Sequence, residues 1–74
     1  MGELNHPTAG ETADALVEGE YVDDAKEGRH DRHLVIDSVR VRAGVFRDLR
    51  GAGWEVSGVE NGVNEGTARV YLHR

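Results

Sequence analysis

Histidine is the residue type here best suited to bind a transition metal, and His30 and His33 form the closest pair. A spacing of three residues can bring two imidazoles to one zinc or nickel ion. A full site needs more ligands, but the sequence contains no cysteine, and His6 and His73 lie near its two ends. The pair is more typical of a solvated turn, so we predict no bound metal and no other cofactor.

Side chains suited to covalent catalysis are few. Without cysteine, the candidate nucleophiles are Ser38, Ser57 and several threonines, and the sequence has neither a Gly-x-Ser-x-Gly turn nor a phosphate-binding loop. Adjacent carboxylates such as Asp23 and Asp24 fall in a polar stretch, where no apolar surroundings would shift their pKa values. We therefore predict a protein that is not an enzyme and has no small-molecule substrate.

Arginine offers a third kind of chemistry. Five arginines fall at positions predicted to face solvent: Arg40, Arg42, Arg47, Arg50 and Arg69. Guanidinium groups bind phosphate and carboxylate equally well. With Tyr71 stacking on a base, these side chains would form a nucleic-acid-binding surface. In the alternative, they pair with the protein's own carboxylates, and the acidic pI of about 5.2 favours that alternative.

Charge is divided unevenly along the chain. Residues 1–33 carry nine acids against three basic residues, whereas residues 34–74 carry five acids against six arginines. This acid excess, with a single lysine, fits either adaptation to high salt (halophilic) or a coding bias. The lack of cysteine, of a long apolar run and of a secretory signal predicts a cytoplasmic protein that does not enter membranes.

These side chains must be positioned by a strand and a helix in the second half of the chain. Residues 34–42 alternate as a strand does. The apolar side chains of one parity are Val35, Val39 and Val41. Residues 43–52 then adopt a helical period, and Gly51 or Gly53 would end this helix.

Residues 54–74 predict a β-hairpin, with a turn between Asn61 and Gly66 and the clearest alternation at residues 67–73. The predicted fold class is α+β, a small β-α-β-β unit at about residues 33–74 with an antiparallel hairpin and a parallel crossover. Its predicted core is Val45, Phe46, Leu49, Trp54, Val56, Val70 and Leu72.

Residues 1–32 are predicted to be an acidic N-terminal arm that is largely disordered or forms one docked helix. Thr8 or Thr12 could cap a helix over residues 12–26, although Gly19 in its middle would weaken it. Such a short acidic helix is marginal unless it docks. The polar residues from Lys26 to Arg32 are typical of a linker or turn.

Three stretches resemble the end of a winged-helix domain, where a recognition helix leads into a β-hairpin wing. They are Val45–Leu49, Gly53–Val56 and Thr67–Tyr71. The resemblance implies a nucleic-acid-binding regulator in which Arg40, Arg42, Arg47 and Arg50 face the major groove and Arg69 lies in the wing. The predicted strand at residues 34–42 departs from that family, which has two helices before the recognition helix. The same stretches are equally similar to small domains that imply no activity.

A chain of 74 residues supports one small core at most. A three-stranded sheet with one helix leaves edges and part of a face open. Either the N-terminal helix folds back over them or a second copy of the chain covers them, and a two-fold dimer is the commonest arrangement of soluble proteins. We therefore predict a small interaction module that forms a homodimer or binds another protein, with nucleic-acid binding as the alternative.

Overall fold

The computed structural model describes residues 4–38, 40–62 and 65–74. Its elements in chain order are α1 (Ala9–Glu18), β1 (Ala25–Glu27), β2 (His33–Ser38), α2 (Val45–Gly51), β3 (Glu55–Asn61) and β4 (Ala68–His73). The strands form one antiparallel sheet in the order β1-β2-β4-β3. The α+β class is confirmed, and β2-α2-β3-β4 is the predicted β-α-β-β unit. Strands β2 and β3 run in the same direction, since both are antiparallel to β4 between them.

Helix α1 is shorter than predicted and begins earlier. Thr8 is its N-cap, and the Thr8 hydroxyl accepts a hydrogen bond from the Glu11 amide at 3.2 Å. The predicted span of residues 12–26 is wrong, because Gly19 ends the helix as its C-cap and Glu20 takes a left-handed φ of 59°. The apolar spacing beyond Gly19 belongs to a loop that brings Val22 back into the core, where it is 5% exposed.

Strand β1 lies where the sequence predicted a linker. Its three residues pair with β2, Ala25 opposite Ile36 and Glu27 opposite Leu34. A strand of three residues is too short to show the alternation of apolar and polar residues that predicts a strand. It is held in the sheet by backbone hydrogen bonds, which do not depend on the side chains. Helix α1 packs on β1 and β2, so this part of the chain covers the sheet at the end formed by these two strands.

Strand β2 buries side chains of both parities. Leu34 and Ile36 are fully buried on the helix side of the sheet, and Val35, on the other side, is 7% exposed. The alternation does not continue to residue 42, because β2 ends at Ser38, whose hydroxyl accepts from the Asp23 amide and donates to the Arg40 carbonyl. Val41 is 39% exposed, and Val39 lies outside the described residues.

Helix α2 and the start of β3 follow the prediction closely. Val45 and Leu49 are buried, Phe46 is half-buried, and Gly53 with φ 98° follows the C-cap Ala52 and turns the chain into β3. The placement of Val56 in the core is wrong. Its side chain is 52% exposed because β3 lies at the edge of the sheet.

One hydrophobic core lies between the helices and the inner face of the sheet. It is formed by Leu4, Ala9, Ala13, Leu16, Val22, Leu34, Ile36, Val45, Leu49, Trp54, Val70 and Leu72. Five of these residues precede β1, so the first part of the chain is a large contributor to the core. We predicted Val70 and Leu72 from the alternation in β4, and their burial is confirmed.

Candidate functional site

The five candidate arginines lie on three separate parts of the fold. Arg40 and Arg42 follow β2, Arg47 and Arg50 lie on α2, and Arg69 lies in β4. Arg40 Nη2 is 3.7 Å from Asp23 Oδ1, and the Arg42 guanidinium lies 4.8 Å from the centre of the Tyr21 ring. The structure does not gather these arginines into one continuous stripe.

Arg69 and Tyr71 share the sheet face opposite the helices, and both are held by carboxylates. Arg69 Nη2 donates to Asp37 Oδ2 at 3.0 Å, and the Tyr71 hydroxyl donates to Glu60 Oε1 at 2.7 Å. The pKa of the Arg69 guanidinium is raised, first by hydrogen bonding to the Tyr71 side chain and then by hydrogen bonding to Asp37. A phosphate would have to compete with the Asp37 carboxylate for Arg69.

The two candidate histidines lie together at the start of β2. The rings of His30 and His33 are 4.0 Å apart between centroids, and His33 is opposite His73 in the sheet register. The pKa of His33 is lowered, chiefly by desolvation, and further by the nearby charges of His30, Arg29 and His73. Within residues 4–38, 40–62 and 65–74, no group of three or more histidine or acidic side chains could hold a metal ion.

Strand β3 carries the most exposed large apolar side chains of the described chain. Val59 is 66% exposed and Val56 is 52% exposed. In the register, Val56 aligns with the buried Leu72 and Val59 with the buried Val70, so the row of core side chains continues to the sheet edge without a cover. Half-buried Phe46 lines a shallow depression with Val56. We call Phe46, Val56 and Val59 the edge patch.

The outer sheet face holds a groove that the sequence did not predict. Val35, Tyr71 and Gly58 align across three strands on this face. The groove has a volume of about 460 Å³, and residues lining it include Arg29, His33, Val35, Ser57, Gly58 and Tyr71. We call it the sheet groove. Its walls come from β2, β3, β4 and the turn before β2, and only the strand order brings them together.

Comparisons of the chain with protein-family models, with curated proteins and with solved structures found no match. None of the helices in the described ranges is long and apolar enough to cross a membrane.

Proposed function

We propose that the protein is a small non-enzymatic interaction module that self-associates through β3 and the edge patch. The observation that supports this proposal is the exposure of Val56 and Val59 on an edge strand, at 52% and 66%. An exposed edge presents unpaired backbone N–H and C=O groups to a second strand. Two copies of β3 related by a two-fold axis would pair antiparallel and bring the two edge patches together.

The two edges of the sheet differ in how well they are protected. Strand β1 has only three residues and carries a lysine, Lys26, and both features discourage pairing with another strand. Strand β3 has seven residues and contains neither lysine nor proline. Its register shifts between Val56 and Gly58, which bends the strand but leaves Val59 on the edge. The β3 edge is therefore the better site for association.

The interface would be small. Seven residues of strand span about 23 Å at roughly 3.3 Å per residue. Fully burying a valine contributes about 1.5 to 3 kcal/mol, and these side chains are already partly buried, so each would contribute less. Association also costs rotational and translational freedom, which offsets much of the free energy gained by burying these side chains. We therefore expect a dissociation constant between about 1 µM and 1 mM. A dimer of this kind forms and dissociates with protein concentration.

Nucleic-acid binding through Arg40, Arg42, Arg47, Arg50, Arg69 and Tyr71 stays a prediction with less support. Arg40 and Arg69 each lie beside an acidic side chain, and the formal net charge of the chain is −5. A nucleic-acid-binding surface ordinarily joins several unpaired cations along one face.

Self-association is tested by measuring the molar mass by light scattering between 10 µM and 1 mM, a range set by the expected affinity of about 1 µM to 1 mM. We expect the average mass to rise with concentration toward that of a dimer. Val59→Lys should keep the protein monomeric, because a charge at the patch would be desolvated on pairing. Val17→Lys is the matched control, since Val17 is 40% exposed but lies on α1. A wild-type protein that stays monomeric at 1 mM refutes the proposal.

A further inference from the structure

We infer that the sheet groove binds a small ligand that has a planar apolar body and one anionic group. An aromatic monocarboxylate or monosulfonate has this chemistry. The groove lies on the outer face of the sheet, whereas Val56 and Val59 align with core residues on the inner face. The inference is therefore independent of self-association through the edge patch.

The floor of the groove can hold a planar apolar group. Val35, Tyr71 and Gly58 form one row across the sheet, and the missing side chain at Gly58 leaves a gap beside the Tyr71 ring. A Cβ atom built on Gly58 would lie 3.8 Å from Tyr71 Cδ2, which is ordinary van der Waals contact. The Tyr71 hydroxyl is held by Glu60, so the ring has a fixed position against which another ring can stack.

One end of the groove is cationic. Its charge comes from Arg29, which lines it, and from Lys26, which is opposite Val35 in the row that forms the floor. The His33 ring also lines it, and its lowered pKa disfavours the charged form of that ring. Among the described residues no carboxylate forms an ion pair with Arg29. In a chain of net charge −5, this cluster is a local site of attraction for an anion.

The opposite end of the same face limits the ligand to a single charged group. Asp37 and Glu60 flank Arg69 in the next row of the sheet. A phosphate backbone or an acidic peptide laid along the groove would meet Asp37 and Glu60 and be repelled. A short ligand can place its anion near Arg29 and keep the rest of its length on the apolar floor.

The size of the groove agrees with a small ligand. Its volume of about 460 Å³ falls within the range of small-molecule sites, roughly 300 to 1,000 Å³. Because the groove is open to solvent on one side, only one face of a planar ligand would be buried. We therefore expect weak binding, with a dissociation constant of about 10 µM to 1 mM.

The probe for this site is 8-anilinonaphthalene-1-sulfonate, with N-phenyl-1-naphthylamine as its uncharged analogue. We expect a titration followed by amide NMR shifts to perturb Arg29, His33, Ser57, Gly58 and Tyr71 first. The uncharged analogue should bind about tenfold more weakly, because it loses the charge-assisted contact with Arg29. Perturbation centred on the edge patch, or equal affinity for both compounds, would overturn the inference.

Two variants test the two parts of the site separately. Gly58→Val should abolish binding of the sulfonate, because the side chain fills the gap while favouring the strand conformation. Arg29→Gln, at an exposed position, should weaken binding about tenfold, and Arg47→Gln on α2 is the matched control that should leave it unchanged. Wild-type affinity in a folded Gly58→Val protein or in Arg29→Gln would reject the groove as the site.

Val59→Lys separates this inference from the proposed function. Because Val59 lies on the inner sheet face, the variant should lose self-association and keep the sulfonate site. If wild-type protein is monomeric but binds the sulfonate in the groove, only self-association is refuted. If it dimerises without perturbation of the groove residues, only the ligand site is refuted.

Discussion

The guanidinium of Arg74 lies 4.5 Å from the centre of the Trp54 ring and covers one face of that buried side chain. The same guanidinium donates hydrogen bonds to the carbonyls of Ala52, His6 and Pro7 at 3.3, 2.6 and 2.9 Å. It therefore joins the segment before α1 to the turn between α2 and β3. One side chain connects two parts of the fold that are far apart in sequence.

Removal of this guanidinium should destabilise the protein. We expect Arg74→Ala to lower the free energy of unfolding by about 1 to 3 kcal/mol, since hydrogen bonds and a cation–π contact are lost together. Urea denaturation followed by Trp54 fluorescence measures the change. Arg50→Ala, at an exposed position in the last turn of α2, is the matched control and should change stability by less than about 0.5 kcal/mol. Equal effects of the two substitutions would contradict a structural role for Arg74.

Leu49 and Val56 provide a contrast between the core and the edge. Leu49 is fully buried, so Leu49→Ala should cost about 2 to 5 kcal/mol, enough to unfold a small domain. Val56 is half exposed, and Val56→Ala should cost less than about 1 kcal/mol in the monomer. Thermal and urea unfolding measure the stability change of each variant, at a low protein concentration that keeps the protein monomeric. Near-native stability of Leu49→Ala would show that the described packing is wrong.

Gly53 and Gly51 form a second matched pair. Gly53 has φ 98°, and an added Cβ would lie 3.2 Å from Arg74 Cδ, so Gly53→Ala should cost at least about 1 kcal/mol. Gly51 ends α2 in open space, and Gly51→Ala should stabilise the protein by about 0.5 to 1 kcal/mol. Urea denaturation should show changes of opposite sign in the free energy of unfolding for the two variants. That result would confirm the left-handed conformation of Gly53 after α2. A stabilising Gly53→Ala would contradict it.

Acid should weaken the fold through His33. Its pKa in the folded protein is lowered from 6.5 by desolvation and then by His30, Arg29 and His73. The folded state thus disfavours the protonated ring, and the stability present above pH 6.5 is lost as the pH falls through the folded pKa. Unfolding curves between pH 8 and 5, around the ordinary histidine pKa of about 6.5, should show this loss. His33→Gln should reduce the change of the free energy of unfolding with pH. If that change is the same in the variant, other titratable groups cause it.

The same histidine links pH to the proposed ligand. An anion near His33 favours the protonated ring, so sulfonate binding should strengthen as the pH falls and should raise the pKa of His33. Imidazole proton shifts recorded with and without 8-anilinonaphthalene-1-sulfonate measure that pKa directly. No change in the pKa at saturation would contradict binding beside His33.

Local patterns predicted the second half of the fold well. The alternation in β4 identified Val70 and Leu72 as buried, and the apolar spacing in α2 identified Val45 and Leu49. These predictions succeeded because each element buries one face, so its buried residues recur at the period of a strand in β4 and of a helix in α2. The exposure of Val56 could not be predicted in this way, since it depends on β3 lying at the sheet edge, which is a property of strand order.

The apolar spacing in the first part of the chain is compatible with more than one local structure. Val22 and Ala25 continue the helical spacing of α1, yet they lie beyond Gly19 in a loop and in β1. Gly19 can sit within a helix or end one, and the local sequence does not decide between these outcomes. The sheet groove was missed for a related reason: Arg29, Val35, Gly58 and Tyr71 come from different strands and turns, and none of them is unusual alone.

Strand β4 lies between β2 and β3, although it follows both in the chain. Neither of those strands can complete its pairing until residues 68–73 have been synthesised, so the sheet cannot be completed before β4 is present. During synthesis, β3 would remain unpaired on both sides, with Val56 and Val59 exposed beside an incomplete core. Loss of β4 would leave a β1–β2 hairpin and a separate β3, rather than a smaller version of the same sheet.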